Sequence, residues 1–381
     1  MARIAIVSQW LLGHLVPALG IGAELAERGH DVSVLSPDSF RPLVEQAGLR
    51  FVEVICGKYP HKFMDATLRE TDEIYKQLHP DLVLCDSALS APAYAAEKRG
   101  LPWVSYQTAV YTSDEHLPGV KRVNERMRTI YQQELNTLRH DYGLPPLTDM
   151  ARTRGDLAGL SAELHLMLFL EELLSEQVEL PHGSQIVGPC AFEPEASAPY
   201  TMAARDPQLP NVVVCTSSAD KPGYAELTQR YVEQALTAFP QGTAQVYLVA
   251  DEAVANLVGS TPDHVHWVQS FPNHHLLFPH ADVIVTHGGC GTLQKAIRCQ
   301  VPMVVIPLGI DHIRLAERCE ELGIAKVMRM EAMHAELLQQ SATQALQDVE
   351  MKQKLAQLSG KVDEQRSNRR AADEIEKQLA R

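Results

Sequence analysis

Residues 281–312 read ADVIVTHGGCGTLQKAIRCQVPMVVIPLGIDH, and this stretch decides the fold. A short apolar run, Val283 to Val285, leads into Thr286–His287–Gly288–Gly289–Cys290–Gly291–Thr292. Helix-compatible Leu293 to Cys299 follows, and Val301–Pro302 opens a second apolar run, Met303 to Ile306. Strand, glycine turn, helix and strand make one βαβ unit. Glycines let backbone approach a ligand closely, and a helix start offers N–H groups at the positive end of its dipole. A diphosphate suits that place. Glycines alone also close ordinary βα turns, so the spacing of the other residues carries the argument. His287 ends its strand, where open α/β sheets bind ligands, and Asp311–His312 follows the next strand into the same crevice.

The beginning of the chain repeats the pattern. Arg3 to Ser8 reads as a strand, Gln9 to His14 as a loop, Val16 to Arg28 as a helix and Val32 to Leu35 as a second strand, with Gly29 at the helix C-terminus. His14 is thereby placed at the carboxyl edge of the first strand, although a lone histidine there is as readily a cap or a surface residue. Pro80 to Asp86 reads as a buried strand ahead of a helix over Ala88 to Arg99 and a strand over Leu101 to Ser105. Asp86 is read locally as the N-cap of that helix. A compatible second reading makes it the acceptor for one ring N–H of His14, fixing the tautomer.

Thr108 to Tyr142 has helical spacing and reads as a packed helix pair or as part of an acceptor pocket. A proline-bearing, weakly hydrophobic run ends at Pro210 and reads as a linker. The expected division is a domain over 1–198, a linker over 199–210 and a second domain over 211–381. In that second domain strands at Val212 to Cys215, Gln245 to Val249 and His264 to Gln269 precede the opening segment. The tail from Glu331 to Arg381 is helix-rich and charged.

At 381 residues the chain has length for two domains. A net charge of −14 argues against nucleic acid or an anionic membrane as partner. It does not oppose a diphosphate site, because backbone amides supply local positive potential. Seven cysteines without a CxxC pair suggest free thiols in a reducing compartment rather than disulfides or a zinc site. With no signal-peptide pattern and no apolar run long enough to span a bilayer, a cytoplasmic location is expected.

The HGGxGT turn, the alanine after it, VPMVVIP, and an Asp followed by a polar residue together resemble the donor-binding motif of the family 1 glycosyltransferases. These are GT-B enzymes with two doubly wound Rossmann-like α/β domains facing each other across a cleft, and they use nucleotide-activated sugars. The resemblance continues upstream through Phe271–Pro272–Asn273–His274–His275–Leu276–Leu277 and, thinly, over most of the chain. It implies that His287, Gly289, Cys290, Gly291, Thr292 and Ser217 hold the donor diphosphate. It places Asp311 and His312 at the sugar, and Ser270, Phe271, Asn273 and Lys295 at the nucleoside. Gly13–His14–Leu15–Val16–Pro17 matches the family's GHxxP pattern, which makes His14 the catalytic base and Asp86 its partner. The implied reaction is inverting transfer from a UDP- or TDP-sugar co-substrate to a small lipophilic acceptor, as in natural-product biosynthesis, with no cofactor and no metal. A homodimer is left open, and the last helix is expected to cross back to the first domain.

Three departures from the family pattern stand out. Lys295 replaces a glutamate that accepts from ribose hydroxyls, and lysine has no acceptor. His312 replaces a glutamine, and Thr216–Ser217–Ser218 replaces a glycine-bearing loop. These departures favour one alternative, a catalytically weak sugar-nucleotide-binding auxiliary protein. A GT-B sugar-nucleotide epimerase is the other. The His14–Asp86 pair favours an enzyme, because binding alone needs no base.

Overall fold

A computed structural model describes residues 1–55, 64–111, 118–175, 178–193, 202–216, 225–250, 252–258, 262–268 and 274–381. The chain divides into two compact units. One comprises Met1–Pro194 with Asp363–Arg381, the other Glu195–Val362.

The first unit opens with β1 (Arg3–Val7), α1 (Leu12–Glu27), β2 (Asp31–Ser36), α2 (Arg41–Gln46) and β3 (Arg50–Glu53). It continues with α3 (Met64–Leu78), β4 (Leu82–Asp86), α4 (Ser90–Lys98) and β5 (Trp103–Gln107). Then come α5 (Pro118–Asp141), β6 (His165–Met167) and β7 (Ser184–Ile186). Its seven strands are all parallel, in the order β3-β2-β1-β4-β5-β6-β7.

A parallel sheet is covered on both faces, so its central strands β1 and β4 read as nearly continuous apolar runs while alternate side chains go opposite ways. Ile4, Ile6, Leu82 and Leu84 join one core cluster with α1, whereas Ala5, Val7, Val83 and Cys85 join a second with α4. The expected helix pair after β5 is a single helix among the described residues, α5 of 24 residues. Beneath the sheet's carboxyl edge a buried polar set ties β5 to β6. Ser105 Oγ lies 2.9 Å from His165 Nδ1, and Gln107 Oε1 lies 3.3 Å from Nε2. With both nitrogens satisfied as a neutral ring, burial lowers the His165 pKa to about 4 against opposing pulls from Ser105 and the Asp86 charge.

The second unit runs through β8 (Asn211–Cys215), α6 (Ala225–Ala238), β9 (Gln245–Val249), α7 (Glu252–Val258) and β10 (Val265–Val268). Next are α8 (His274–Leu277), β11 (Val283–Thr286), α9 (Cys290–Arg298), β12 (Met303–Val305), α10 (Ile310–Glu321) and β13 (Ala325–Val327). Two helices, α11 (Ala335–Gln347) and α12 (Val349–Ser359), complete it. The strand order is β10-β9-β8-β11-β12-β13, again all parallel.

The final helix, α13 (Glu364–Leu379), belongs to the first unit. Ala371, Ala372 and Ile375 are buried in the same core cluster as Ile4, Leu15 and Leu19. Arg28 pairs with Asp373 and Glu376 at 2.7 Å each, His30 meets Glu376 at 3.0 Å, and the Asn368 amide donates to the Ala191 carbonyl at 2.9 Å.

Each sheet changes direction once. In the first unit β2 and β3 lie to one side of β1 while β4 and β5 lie to the other; in the second β9 and β10 flank β8 while β12 and β13 lie beyond β11. At such a switch the loops leaving the two central strands diverge and open a crevice at the carboxyl edge. His14, Asp86 and the His287–Gly289 turn follow or end the central strands at these edges.

Candidate active site

In the first unit the switch lies between β1 and β4, which pair in register with Val7 beside Cys85. Asp86 is the last residue of β4, and His14 follows β1. Proline suits a helix entrance, which places the expected start of α1 near Val16. The helix instead begins at Leu12 with Pro17 inside it. A proline there forfeits only the bond to the Gly13 carbonyl, and the Leu11 carbonyl takes the N–H groups of His14 and Leu15 at 2.9 Å. His14 thus sits in the first helical turn rather than in a loop, on a backbone fixed by that turn.

The structure brings His14 and Asp86 together. His14 Nδ1 lies 2.7 Å from Asp86 Oδ2, with the carboxylate 2% exposed and the imidazole 23% exposed. Asp86 Oδ1 accepts from the Ala88 N–H at 3.0 Å and from the Gln9 amide at 3.2 Å. Asp86 thus faces His14 through Oδ2 but does not cap α4, which starts at Ser90 with Leu89 as its N-cap and no capping side chain. The Ala88 bond closes an Asx turn ahead of the helix, which corrects the cap reading. Burial alone pushes this carboxyl upward. The His14 charge and hydrogen bond, then the Ala88 and Gln9 donors, outweigh it and hold Asp86 below the usual carboxylate range.

An ionised Asp86 takes the single hydrogen that Nδ1 of a neutral ring can carry. Nε2 is then the ring's bare, basic nitrogen, and among the described residues it has no partner. Two neighbours were not singled out from sequence. Gln9 Nε2 lies 3.3 Å and Thr108 Oγ1 3.2 Å from His14 Nδ1. Thr108 directly follows β5 and Gln9 lies two residues past β1, both at the sheet's carboxyl edge, and that topological position is the signal that would have found them.

In the second unit the switch lies between β8 and β11. Helix α9 starts at Cys290, earlier than the expected Leu293, and Gly289 is its N-cap, with no side chain capping it. A helix's first N–H groups have no carbonyl of their own helix to bond, so Cys290, Gly291 and Thr292 supply the donors expected of an anion cradle. Gly288 takes φ +90°, and a side chain there would approach Val305 Cγ1 to 3.0 Å. A Cβ on Gly289 would lie 2.8 Å from His287 Nε2, so the imidazole rests against the glycine backbone. A Cβ on Gly291 meets nothing within 4 Å. The turn is closed at 288 and 289 and open at 291.

His287 and His312 also come together, their ring centroids 5.0 Å apart and edge-on at 69°. His312 is buried in the first turn of α10. Asp311 stands one residue earlier on that helix, and only its backbone is described. Lys295 is half-buried on α9. His274 of α8 stacks on Phe278 at 4.6 Å, and its pKa is lowered to about 3 by loss of water around the ring, then by the charges of Lys295 and His275. Thr216, the described member of the Thr–Ser–Ser loop, turns its hydroxyl to the Val249 carbonyl at 3.1 Å. That hydroxyl is engaged with the neighbouring strand. Ser217, Ser270, Phe271 and Asn273 lie outside the described residues.

Both units match known sequence families. The "Glycosyltransferase family 28 N-terminal domain" matches residues 12–109, and the "Erythromycin biosynthesis protein CIII-like, C-terminal domain" matches residues 233–380. Among curated relatives, the NDP-glycosyltransferase YjiC of Bacillus subtilis (strain 168) is 22% identical, over 98% of this chain and 96% of its own. The oleandomycin glycosyltransferase of Streptomyces antibioticus is 23% identical over 99% and 91%. The O-mycaminosyltylonolide 6-deoxyallosyltransferase of Streptomyces fradiae is 25% identical over 92% and 91%.

Among solved structures, the glycotransferase of kitacinnamycin superposes with a TM-score of 0.78 at 23% identity, covering 99% of both chains. The glycosyltransferase VinC in complex with DTDP gives 0.68 at 20%, covering 99% and 98%. Two all-parallel α/β units, each with one switch point, are the GT-B fold that these solved structures share. The chain belongs with the family 1 glycosyltransferases, enzymes that take their sugar from a nucleotide-sugar donor. The binding-protein and epimerase alternatives are not favoured by these relatives.

Proposed function

We propose that the enzyme transfers a sugar from a UDP or TDP donor, with inversion, to a hydroxyl of a small lipophilic acceptor. The observation that carries this reading is the 2.7 Å contact between His14 Nδ1 and the buried Asp86 carboxylate, which leaves Nε2 as the base. Nε2 removes the acceptor proton as the acceptor oxygen attacks the anomeric carbon. The new C–O bond forms as the bond to the diphosphate oxygen breaks, and the bonding pair leaves with the nucleoside diphosphate. Asp86 stabilises the imidazolium that develops, as a buried carboxylate does for a histidine base.

The leaving diphosphate is received by the N–H groups of Gly289, Cys290, Gly291 and Thr292 and by His287, with Ser217 alongside. Fixed donors at a helix start stabilise such charge without a metal ion. Asp311 and His312 read the sugar hydroxyls. Ser270, Phe271, Asn273 and Lys295 read the nucleoside, with Lys295 acting as a donor only. Support for a lipophilic acceptor comes from relatives named oleandomycin glycosyltransferase, demethyllactenocin mycarosyltransferase and, in Pseudescherichia vulneris, zeaxanthin glucosyltransferase. Acceptor, donor and the protein itself are the proposed partners, in a cytoplasmic setting.

The test is His14→Ala. General-base assistance contributes roughly 10²–10⁴-fold, so turnover should fall by at least about a hundredfold with nucleoside diphosphate affinity unchanged. Retained turnover, or an equal loss of donor binding, overturns the assignment.

A further inference from the structure

Gln9 is the half-buried residue that follows β1 and Ser8, and its amide reaches both members of the dyad. Facing a carboxylate, the amide presents its NH₂ group, since its oxygen would meet Oδ1 as acceptor against acceptor. The same nitrogen is 3.3 Å from His14 Nδ1, but Nδ1–H is itself a donor, so the two donors converge on Asp86, one on each oxygen. Ala88 N–H joins Gln9 on Oδ1. Oδ1 thereby carries two donors while Oδ2 is left to the imidazole.

We propose that Gln9 is a positioning residue for the reaction. Its amide holds the Asp86 carboxylate in the rotation that points Oδ2 at Nδ1 and so keeps the base on Nε2. A neutral donor suits this task better than lysine or arginine. A cation at the same place would cancel the carboxylate charge that steadies the imidazolium, whereas the amide satisfies Oδ1 and leaves that charge intact. Besides His14, the described groups that feel the Asp86 charge are Cys85, Tyr106 and His165, all buried, and among the described residues no cation is hydrogen-bonded to Asp86 apart from His14 when protonated. Thr108 Oγ1 approaches Nδ1 and not the carboxylate, so it does not duplicate Gln9.

The inference rests on His14 acting as base, and its test separates the two ideas. Gln9→Met keeps length and removes the donor; Gln9→Glu keeps shape and replaces the donor with a carboxylate. Gln9→Met should lower kcat about tenfold, the worth of one hydrogen bond to a charged group, with KM for the donor unchanged. Gln9→Glu should lower it further, because the new carboxylate pushes Asp86 out of its rotation.

In ¹⁵N spectra of histidine-labelled protein, with His14 assigned by its loss in His14→Ala, the wild-type ring should be protonated at Nδ1 only. Both Gln9 variants should show a mixture of tautomers. A pure Nδ1–H tautomer and wild-type kcat in both variants overturn the role of Gln9 while leaving His14 as base. Activity retained in His14→Ala would instead remove the reading on which it rests.

Discussion

Replacing Asp86 with asparagine removes one charge and almost no shape. Two donors, the Ala88 N–H and the Gln9 amide, converge on Oδ1, so an asparagine here turns its oxygen to them and its NH₂ to His14. Nδ1 must then accept, and the ring proton moves to Nε2, the nitrogen that has to be bare for catalysis. The variant therefore loses the charge that stabilises the imidazolium and also selects the wrong tautomer. With charge centres about 4 Å apart and an effective dielectric of about 20, the lost attraction is about 4 kcal/mol, or about a thousandfold in kcat. Release of nucleoside diphosphate, followed at saturating donor and acceptor, measures it. A kcat within tenfold of wild type, in a preparation where His14→Ala is inactive, would refute the tautomer argument.

The same substitution has a pH signature in stability. The folded pKa of Asp86 is depressed, so its ionisation supports the native state above the unfolded carboxyl value near 4. That support is lost as pH falls through the folded value. Asp86→Asn should flatten this acid arm in denaturant unfolding.

The remaining expectations concern the donor turn and the buried histidine. Gly289→Ala places a methyl 2.8 Å from His287 Nε2; it should displace that ring and weaken nucleoside diphosphate binding about tenfold in a calorimetric titration. Gly291→Ala has no neighbour to strike, so its stability should be unchanged or higher by up to about 1 kcal/mol, and any loss of donor binding reports contact with the ligand. His165 has its pKa lowered to about 4, so between pH 6.5 and 4 the unfolded chain binds a proton that the native state refuses. Wild type should lose about 2 kcal/mol between pH 7 and 5, and His165→Gln should not; equal slopes in urea unfolding would contradict this.

The sequence was most informative where one residue type had one physical reason to stand in one place. The glycine turn after Val283–Val285 and the VPMVVIP strand follow from a βαβ grammar in which strand ends carry ligands, whereas the His14–Asp86 pairing was legible chiefly through the family resemblance. Helix starts were less legible. Pro17 and the glycines around Cys290 argue locally for later starts, yet each helix begins about one turn earlier. The Gln9 contact was hidden for another reason. Nothing in a glutamine announces which of two carboxylate oxygens it will meet 77 residues away. The engagement of Thr216 with Val249 was equally invisible, since it depends on the register between β8 and β9.

The place of α13 has a consequence for how the protein is made. Ala371, Ala372 and Ile375 complete the apolar layer that begins with Ile4, Leu15 and Leu19, yet Glu195–Val362 is translated between them. At roughly 5–20 residues per second, that stretch occupies a ribosome for on the order of ten to thirty seconds. Throughout this interval the first unit waits with one side of its sheet only partly covered, while the second has all its elements and is free to fold. The nascent chain should therefore bind chaperones through the face opposite α4, and release should follow emergence of the last helix rather than completion of the first 194 residues.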